Sequence, residues 1–376
     1  MNKYNSSLIT PVLLAGSIII IITFGIRGSF GVFQIPIENE FQWLRVEFSL
    51  ALAIQNLGWG IGAPIFGALG EKFGDRKLII AGAFCYVIGL VLSTFAQNAL
   101  THQLLEFIIG FGIAGTGMGM ILAVVGRASS EKNRSMALGI VTAAGSVGQM
   151  IGAPAAQALL NFYSWQQVFI IFAFSIALVM LFVPLLKNNP VSTKKEIEIS
   201  LLKVLGNAFK DPNFSMIFLG FFACGYQLAF VSAHFPAMIT EMCSAISPTS
   251  LLNYLSVSNT SSLGAFAIAL IGFSNIFGTI YAGWLGQRFQ KKILISRCIC
   301  IKNFNRIIIY YFSNYSLICS IILSFYGITL ACNCSFNQWI NCSYIWFTLH
   351  GNFIRVSFFL SSTWKFFGRL DGRKTL

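Results

Sequence analysis

Hydrophobic residues in this chain come in long unbroken stretches, not in helical stripes or alternating strands. Leu8 to Ile26 and Val168 to Leu186 contain no charged residue at all. A helix crossing the hydrocarbon core of a bilayer needs about 20 such residues. The pattern predicts eight spans, at about 9–36, 48–70, 77–97, 103–126, 136–160, 166–187, 213–238 and 263–286. Backbone N–H and C=O groups inside lipid must be paired within their own segment, so each span is expected as a helix. The first stretch is too long for the apolar region of a secretory signal and no small-residue cleavage site follows it, so it reads as the first span. The expected fold class is all-α, a polytopic membrane bundle.

The polar intervals alternate in charge. Lys72, Arg76 and Lys77 follow the second span, and Arg127, Lys132 and Arg134 follow the fourth. Lys187, Lys194, Lys195, Lys203 and Lys210 follow the sixth, and Arg288, Lys291 and Lys292 follow the eighth. The intervening loops hold Arg45 with Glu38, Glu40 and Glu47, then His102, then Glu241. Basic loops stay on the cytoplasmic side, so the amino terminus is expected there and the location is a plasma or inner membrane. Six spans precede a charged linker, in which Leu201, Leu202 and Leu205 suggest a short amphipathic helix on the inner face. This divides the chain into a six-helix half at 1–187, a linker at 188–212, the start of a second half at 213–296 and a tail at 297–376.

Composition agrees. Of 376 residues, 56% are hydrophobic and 10% charged, with a mean hydropathy of +0.74. A soluble domain carries about 25% charged residues, and this chain has too few to cover a water-facing surface. The net charge of +13 does not point to nucleic acid, because its bases sit in short loops between apolar spans. The 34 glycines suit helices packed closely in lipid.

Three glycine-rich motifs sharpen the picture. The loop after the second span reads Gly67-Ala68-Leu69-Gly70-Glu71-Lys72-Phe73-Gly74-Asp75-Arg76-Lys77, and a weaker copy, Gly283-Trp284-Leu285-Gly286-Gln287-Arg288-Phe289-Gln290-Lys291-Lys292, follows the eighth. Glycines permit a tight turn between packed helices, and an acid among bases at a helix end can lock neighbours through charge pairs and helix dipoles. The loop resembles the signature loop of the major facilitator superfamily, with Glu71 in place of the usual Asp, Lys72 in place of the usual Arg, and Asp75 at a normally basic position. Two copies six spans apart fit the duplicated halves of that superfamily. In the fifth span, Gly145-Ser146-Val147-Gly148-Gln149-Met150-Ile151-Gly152-Ala153-Pro154 resembles its glycine-proline motif. Glycines at that spacing make one smooth face, for close packing or for a gating hinge; the run Gly110 to Gly119 is similar. Gly25-Ile26-Arg27-Gly28-Ser29-Phe30-Gly31, Ala53-Ile54-Gln55-Asn56-Leu57 and Gly220-Phe221-Phe222-Ala223-Cys224-Gly225-Tyr226-Gln227 resemble the branch that includes monocarboxylate and oxalate–formate carriers. The resemblance covers about residues 10–292.

Polar residues within spans are the candidate site. A charge there costs about 2.5 kcal/mol or more and faces a cavity or a partner. Arg27 lies deep in the first span, and its planar fork suits a carboxylate; a strut between helices is the structural alternative. Gln55, Asn56, Gln149, Gln227 and Asn275 are either further cavity lining or interhelical bonds. His234 is a proton-coupling candidate, since imidazole titrates near neutral pH. Glu106, near the start of its span, reads as interfacial. Gly67, Gly70, Glu71, Lys72, Gly74 and Arg76, with Arg127 beside them, form the expected gating loop. Oxalate-type carriers rely on a basic residue in the eighth helix, and Leu263 to Leu285 contains none, which argues against dicarboxylates. There is no Gly-x-Ser-x-Gly, no phosphate loop of Gly-x4-Gly-Lys form, and histidine occurs only at 102, 234 and 350, so neither an enzyme nor a bound cofactor or metal is expected.

The tail differs in character. Cys298, Cys300, Cys319, Cys332, Cys334 and Cys342 fall in it, and no proline follows Pro248. Cys332, Cys334 and Cys342 carry a metal-like spacing, but a shifted reading frame explains the tail better. Back-translation read one nucleotide later produces strings similar to the later helices of the same carriers. Trp339, Trp346 and Trp364 each force a glycine in that frame, at places where the resemblance wants one. The expected function is secondary transport of a small organic anion, a monocarboxylate by resemblance, through alternating access. It would be driven by protons or by exchange and carried out by a lipid-embedded monomer. The alternative is an inactive, frame-shifted remnant.

Overall fold

A computed structural model describes residues 9–186, individual positions between 206 and 240, and residues 259–288, with side chains to 278. Every regular element among the described residues is helical. The chain starts with α1 (Pro11–Ser29), where Thr10 caps the Leu13 N–H at 3.2 Å and Pro11 opens the first turn. One 3-10 turn, Phe30–Phe33, joins it to α2 (Gln34–Phe41), and the three make a single 31-residue span. Pro36 accounts for the tightening, because it offers no N–H to the Val32 carbonyl and crowds it. The span ends where Gln42 turns left-handed at φ 54°.

Next comes α3 (Arg45–Phe73), opened by Glu47 accepting from the Leu44 N–H at 3.0 Å. A one-residue turn at Gly74 leads to α4 (Asp75–Ser93). Then α5 (Ala99–Thr116), capped by Asn98, continues through an extended Gly117 into α6 (Met118–Ala128). Finally come α7 (Glu131–Leu160), α8 (Trp165–Val179), which opens on a Ser164–Gln167 capping box, and α9 (Thr260–Arg288). Seven of these segments are long and apolar enough to cross a membrane. They agree with seven of the eight spans expected from the sequence. The remaining one, at 213–238, and the tail lie almost wholly outside the described residues, as does the linker helix.

The packing is layered around α5 and α6, the most enclosed span. Its neighbours α3 and α4 press on α5, α1 pairs with α7, and α9 lies on the other side of α7. Large side chains that point away from the bundle are apolar, among them Leu14, Phe84, Leu104, Phe174 and Leu181. That surface suits lipid, whereas on a soluble protein it would be an aggregation-prone patch.

Glycine sets how closely the backbones approach. A Cβ added at Gly110 would stand 1.8 Å from the Gln55 carbonyl oxygen across α5 and α3, and one at Gly152 would stand 2.1 Å from the Gly25 carbonyl across α7 and α1. In both cases the clash is with backbone, which cannot rotate aside. By contrast, Gly139 has open space around it. Gly110→Val is therefore expected to cost about 3 kcal/mol or more, the upper end for overpacking, read as a fall in the unfolding midpoint of detergent-solubilised protein. Gly139→Ala should leave that midpoint unchanged or raise it, because alanine is the better helix former.

Candidate functional site

Arg27 is buried near the carboxyl end of α1, only 9% exposed. Its Nη2 donates to Asn56 Oδ1 at 3.2 Å, and Asn56 Nδ2 donates to the Leu52 carbonyl at 2.6 Å, which fixes the carboxamide. The guanidinium lies over the Trp59 ring at 4.5 Å from its centroid and 5.8 Å from that of Phe24, an arrangement that favours a cation. Arg27 Nε is buried with no hydrogen-bond partner among the described residues. The cation is thus held by a neutral amide and two aromatic faces, with donor capacity left over. Asn56 thereby joins α3 to α1 through Arg27.

Gln55, the neighbouring residue on α3, turns to a different partner. Its Nε2 donates to Glu106 Oε2 on α5 at 2.7 Å, and both side chains are buried. His102, one turn before Glu106, brings Nε2 to 3.7 Å from Glu106 Oε1. Two expectations are corrected here. His102 is a buried residue of α5 and not part of an outer loop, and Glu106 is interior and not interfacial; each is 1% exposed. Burial follows from the cover above them. Trp43 and Trp165 pack on the His102 ring at 5.6 and 6.3 Å, and Trp43 stacks on Phe41 at 4.7 Å. Tyr86 on α4 is fully buried, its hydroxyl has no hydrogen-bond partner among the described residues, and it interacts electrostatically with Arg27 and Glu106.

The other expected site residues are spread around this centre. Gln149 on α7 packs its Cγ within 3.1 Å of where a Gly28 Cβ would be, so it borders α1 beside Arg27. Asn275 on α9 donates to Ser146 on α7 at 2.9 Å, an interhelical bond. His234 is buried. Gln227 lies outside the described residues, as do Cys332, Cys334 and Cys342. A cavity of about 350 Å³ opens beyond Trp165, at the end of the bundle opposite Gly74, with Asn39, Glu40, Gln157, Thr240 and Ser261 in its wall. Glu40 accepts from the Trp165 indole N–H and from Gln166 Nε2.

At the other end, the loop expected to act as a gate is built around a residue the sequence marked only as a departure. Asp75 is 2% exposed and pairs with Arg127 at the end of α6, which is 20% exposed. Gly74 makes this possible. At φ 94° it reverses the chain in one residue, a conformation that side chains rarely adopt. Gly70 leaves room for the Asp75 carboxylate, which lies 3.1 Å from where a Cβ would sit, and Gly67 is buried one turn earlier. Arg76 donates to the Leu186 carbonyl and so ties α4 to the end of the sixth span. Glu71 is half-buried, whereas Lys72 is exposed and lies against Phe73.

Membrane-length helices around a buried cation and a buried acid, with a charge-locked turn at one end, define a polytopic membrane protein with a polar interior. The sequence profile of the Major Facilitator Superfamily matches residues 15–348, and the chain belongs to that superfamily of transporters. The match continues past Ser296, where the resemblance read from residues ended, so family character extends into the tail. Monocarboxylate transporter 13 of Bos taurus is 27% identical over 282 residues, covering 71% of this chain and 58% of that protein. The sialic acid transporter of Escherichia coli K12 is 25% identical over 239 residues, covering 62% of this chain and 54% of that one. The chain thus spans less than two thirds of the length of either. In fold, it is similar to the crystal structure of a bacterial homologue of the human lysosomal transporter Spinster, with a TM-score of 0.70 at 16% identity over 98% of this chain and 82% of that one.

The Asp75–Arg127 pair generates a clear expectation. Asp75→Asn should destabilise the protein by about 2–4 kcal/mol, below the range for a fully buried pair because Arg127 is partly exposed. A thermal double-mutant cycle with Arg127→Gln should recover most of that loss as coupling; additive effects would show that the pair holds nothing.

Proposed function

We propose that the chain is a secondary transporter of a small organic anion, a monocarboxylate in the first instance, working by alternating access with its amino terminus in the cytoplasm. The observation that carries this is Arg27. A cation buried in a span is costly, and this one has a neutral hydrogen-bond partner, aromatic walls and a donor, Nε, with no partner among the described residues. An arriving carboxylate would complete the fork with charge-assisted bonds. Asn56 holds the guanidinium, and Gln149 stands on the neighbouring wall of α7. Gln55 serves the interior of α3 and α5 and does not reach toward the anion. Asn275 joins α7 to α9 through Ser146. Gly67 to Arg76 with Arg127 form the inner gate. The bovine relative's name points to the same substrate class, and the missing base in the eighth span argues for one carboxylate instead of two. The driving force is a proton gradient or exchange, and a single chain suffices as the working unit.

A second reading, an inactive remnant, rests on the composition of residues 297–376 and on the shifted reading frame that they permit, and resequencing the coding DNA across that stretch addresses its premise. Transport decides between the two. Purified protein in liposomes should take up radiolabelled L-lactate or pyruvate. Arg27→Gln should reduce uptake about 10- to 100-fold, the scale of one hydrogen bond to a charged group, and Arg27→Lys should retain part of it. Uptake in the glutamine variant equal to that of the parent would remove Arg27 from the site.

A further inference from the structure

Two buried charges of opposite sign stand on either side of one turn of α3. Asn56 holds Arg27 and its neighbour Gln55 holds Glu106. Glu106 has a second titratable group within reach, His102 Nε2 at 3.7 Å, too far for a hydrogen bond and close enough for an ion pair. We propose that Glu106 and His102 form a reversible proton-binding site inside the membrane, and that its occupancy controls anion binding at Arg27. The second clause rests on the proposed function; the first stands without it.

The geometry supports a site that gains and loses one proton. Glu106 without its proton brings a full negative charge into the bundle, where charges are expensive. Taking up a proton from water forms one O–H or N–H bond and breaks none within the protein, and release reverses it. The Gln55 amide can donate to Oε2 in either state, and Oε1 faces His102 Nε2 at 3.7 Å, so a proton gained by the pair can be shared with the imidazole. His102 Nδ1 is buried with no hydrogen-bond partner among the described residues, so the ring has a vacant nitrogen. Trp43 and Trp165 separate the pair from the outer cavity, and Trp165 belongs to both walls. Among the described residues, Tyr86 of α4 interacts electrostatically both with Glu106 and with Arg27 of α1. On α3, Glu47 contributes only its carbonyl, which accepts from Gln103 at 3.3 Å. Glu40 lies behind Trp165, holding the indole N–H.

Coupling follows from electrostatics. A charged Glu106 takes part of the positive field of Arg27 and competes with an anion for it. A protonated Glu106 leaves that field to the anion. Tyr86, which interacts electrostatically with both charges and whose hydroxyl has no hydrogen-bond partner among the described residues, is a donor able to favour either side. Proton and anion therefore bind together, which is the sign required for symport. His234, in the segment before α9, is not needed for this role.

Infrared difference spectra of the purified full chain in lipid, titrated over about pH 4–9 to bracket ordinary carboxyl and imidazole values, test the site without any substrate. A protonated-carboxyl band should rise and fall in the parent, vanish in Glu106→Gln, persist with a displaced midpoint in Glu106→Asp and His102→Gln, and be unchanged in His234→Gln. Identical spectra for the parent and Glu106→Gln would overturn the proposal. Coupling is read with radiolabelled L-lactate and pyruvate in liposomes. Glu106→Gln should lose about tenfold or more of accumulation driven by a pH gradient while exchange stays within about twofold, as expected when a charge step and not the binding fork is removed. Arg27→Gln should lose both. Full accumulation by Glu106→Gln would overturn the coupling. Failure of the parent to carry either compound would count against the proposed substrate and leave the infrared result to judge the proton site.

Discussion

The close approach of helix backbones at glycine is the constraint on which the site depends. Between helices in lipid there is little hydrophobic drive, so association relies on packing and on interhelical bonds. Gly110 lets α5 rest directly on the Gln55 carbonyl of α3. One turn earlier on α5 stands Glu106, and the side chain of that same Gln55 reaches it. On the other side, Gly25 and Gly152 bring α1 against α7, and Gly28 admits Gln149. These contacts aim Arg27 back toward α3, where Asn56 and Trp59 receive it. With side chains at those glycines, the helices would stand farther apart, and bonds of 2.7 and 3.2 Å could not form.

The architecture was largely legible because a bilayer leaves so few choices. Apolar length marks a span, and within a span only a helix pairs its own backbone. The ends were less legible. The first span runs on to Phe41 because a 3-10 turn carries it past Pro36, and the third begins at once after Gly74, where the loop was expected to separate two helices more widely. The site was half legible. Arg27 and Asn56 announce themselves as polar groups deep in apolar runs. Glu106 did not, because depth within a span was judged by distance from its end, and His102 and Glu106 lie close to the start of theirs. What buries them is Trp43, Trp165 and Gln55, supplied by segments far away in the chain. A sequence shows such partners only as three more residues of ordinary type. The i, i+4 spacing of His102 and Glu106 was the available signal. Asp75 is hidden for a different reason: the resemblance places the acid of the loop at Glu71, while the charge that closes on Arg127 comes one turn later.

The charge distribution also separates two kinds of ion pair. Asp75 and Arg127 meet at the end of the bundle with one partner partly exposed, so water can take up the charges when the pair opens. That would suit the contact of a gate, which breaks and re-forms. Arg27 and Glu106 are both enclosed and each is bonded first to a neutral amide. Direct pairing would have satisfied both charges and left nothing for a ligand. Neighbouring residues of α3 hold them apart, which under the proposed function would keep the cation available to an anion and let its field depend on the protonation of the acid. The cost of two separated buried charges is the reason to regard them as functional and not as struts, since a strut would be cheaper as a direct pair or as two apolar side chains.

Helix α7 then decides how such a centre can move. It touches α1 through Gly148 and Gly152, and α9 through the backbone at Met150 facing Gly272. Both contacts are between nearly flat surfaces, and among the described polar pairs across them the bond from Asn275 to Ser146 stands out. Interdigitated side chains resist sliding because each must leave its groove; glycine faces have no such knobs. A helix with a smooth face on both sides can shift relative to one neighbour while staying in van der Waals contact with the other, so the enclosure of Arg27 by α1 and α7 need not be lost when α9 moves. That is the mechanical property the proposed alternating access would require: cavity walls that change partners while the cation stays shielded from lipid.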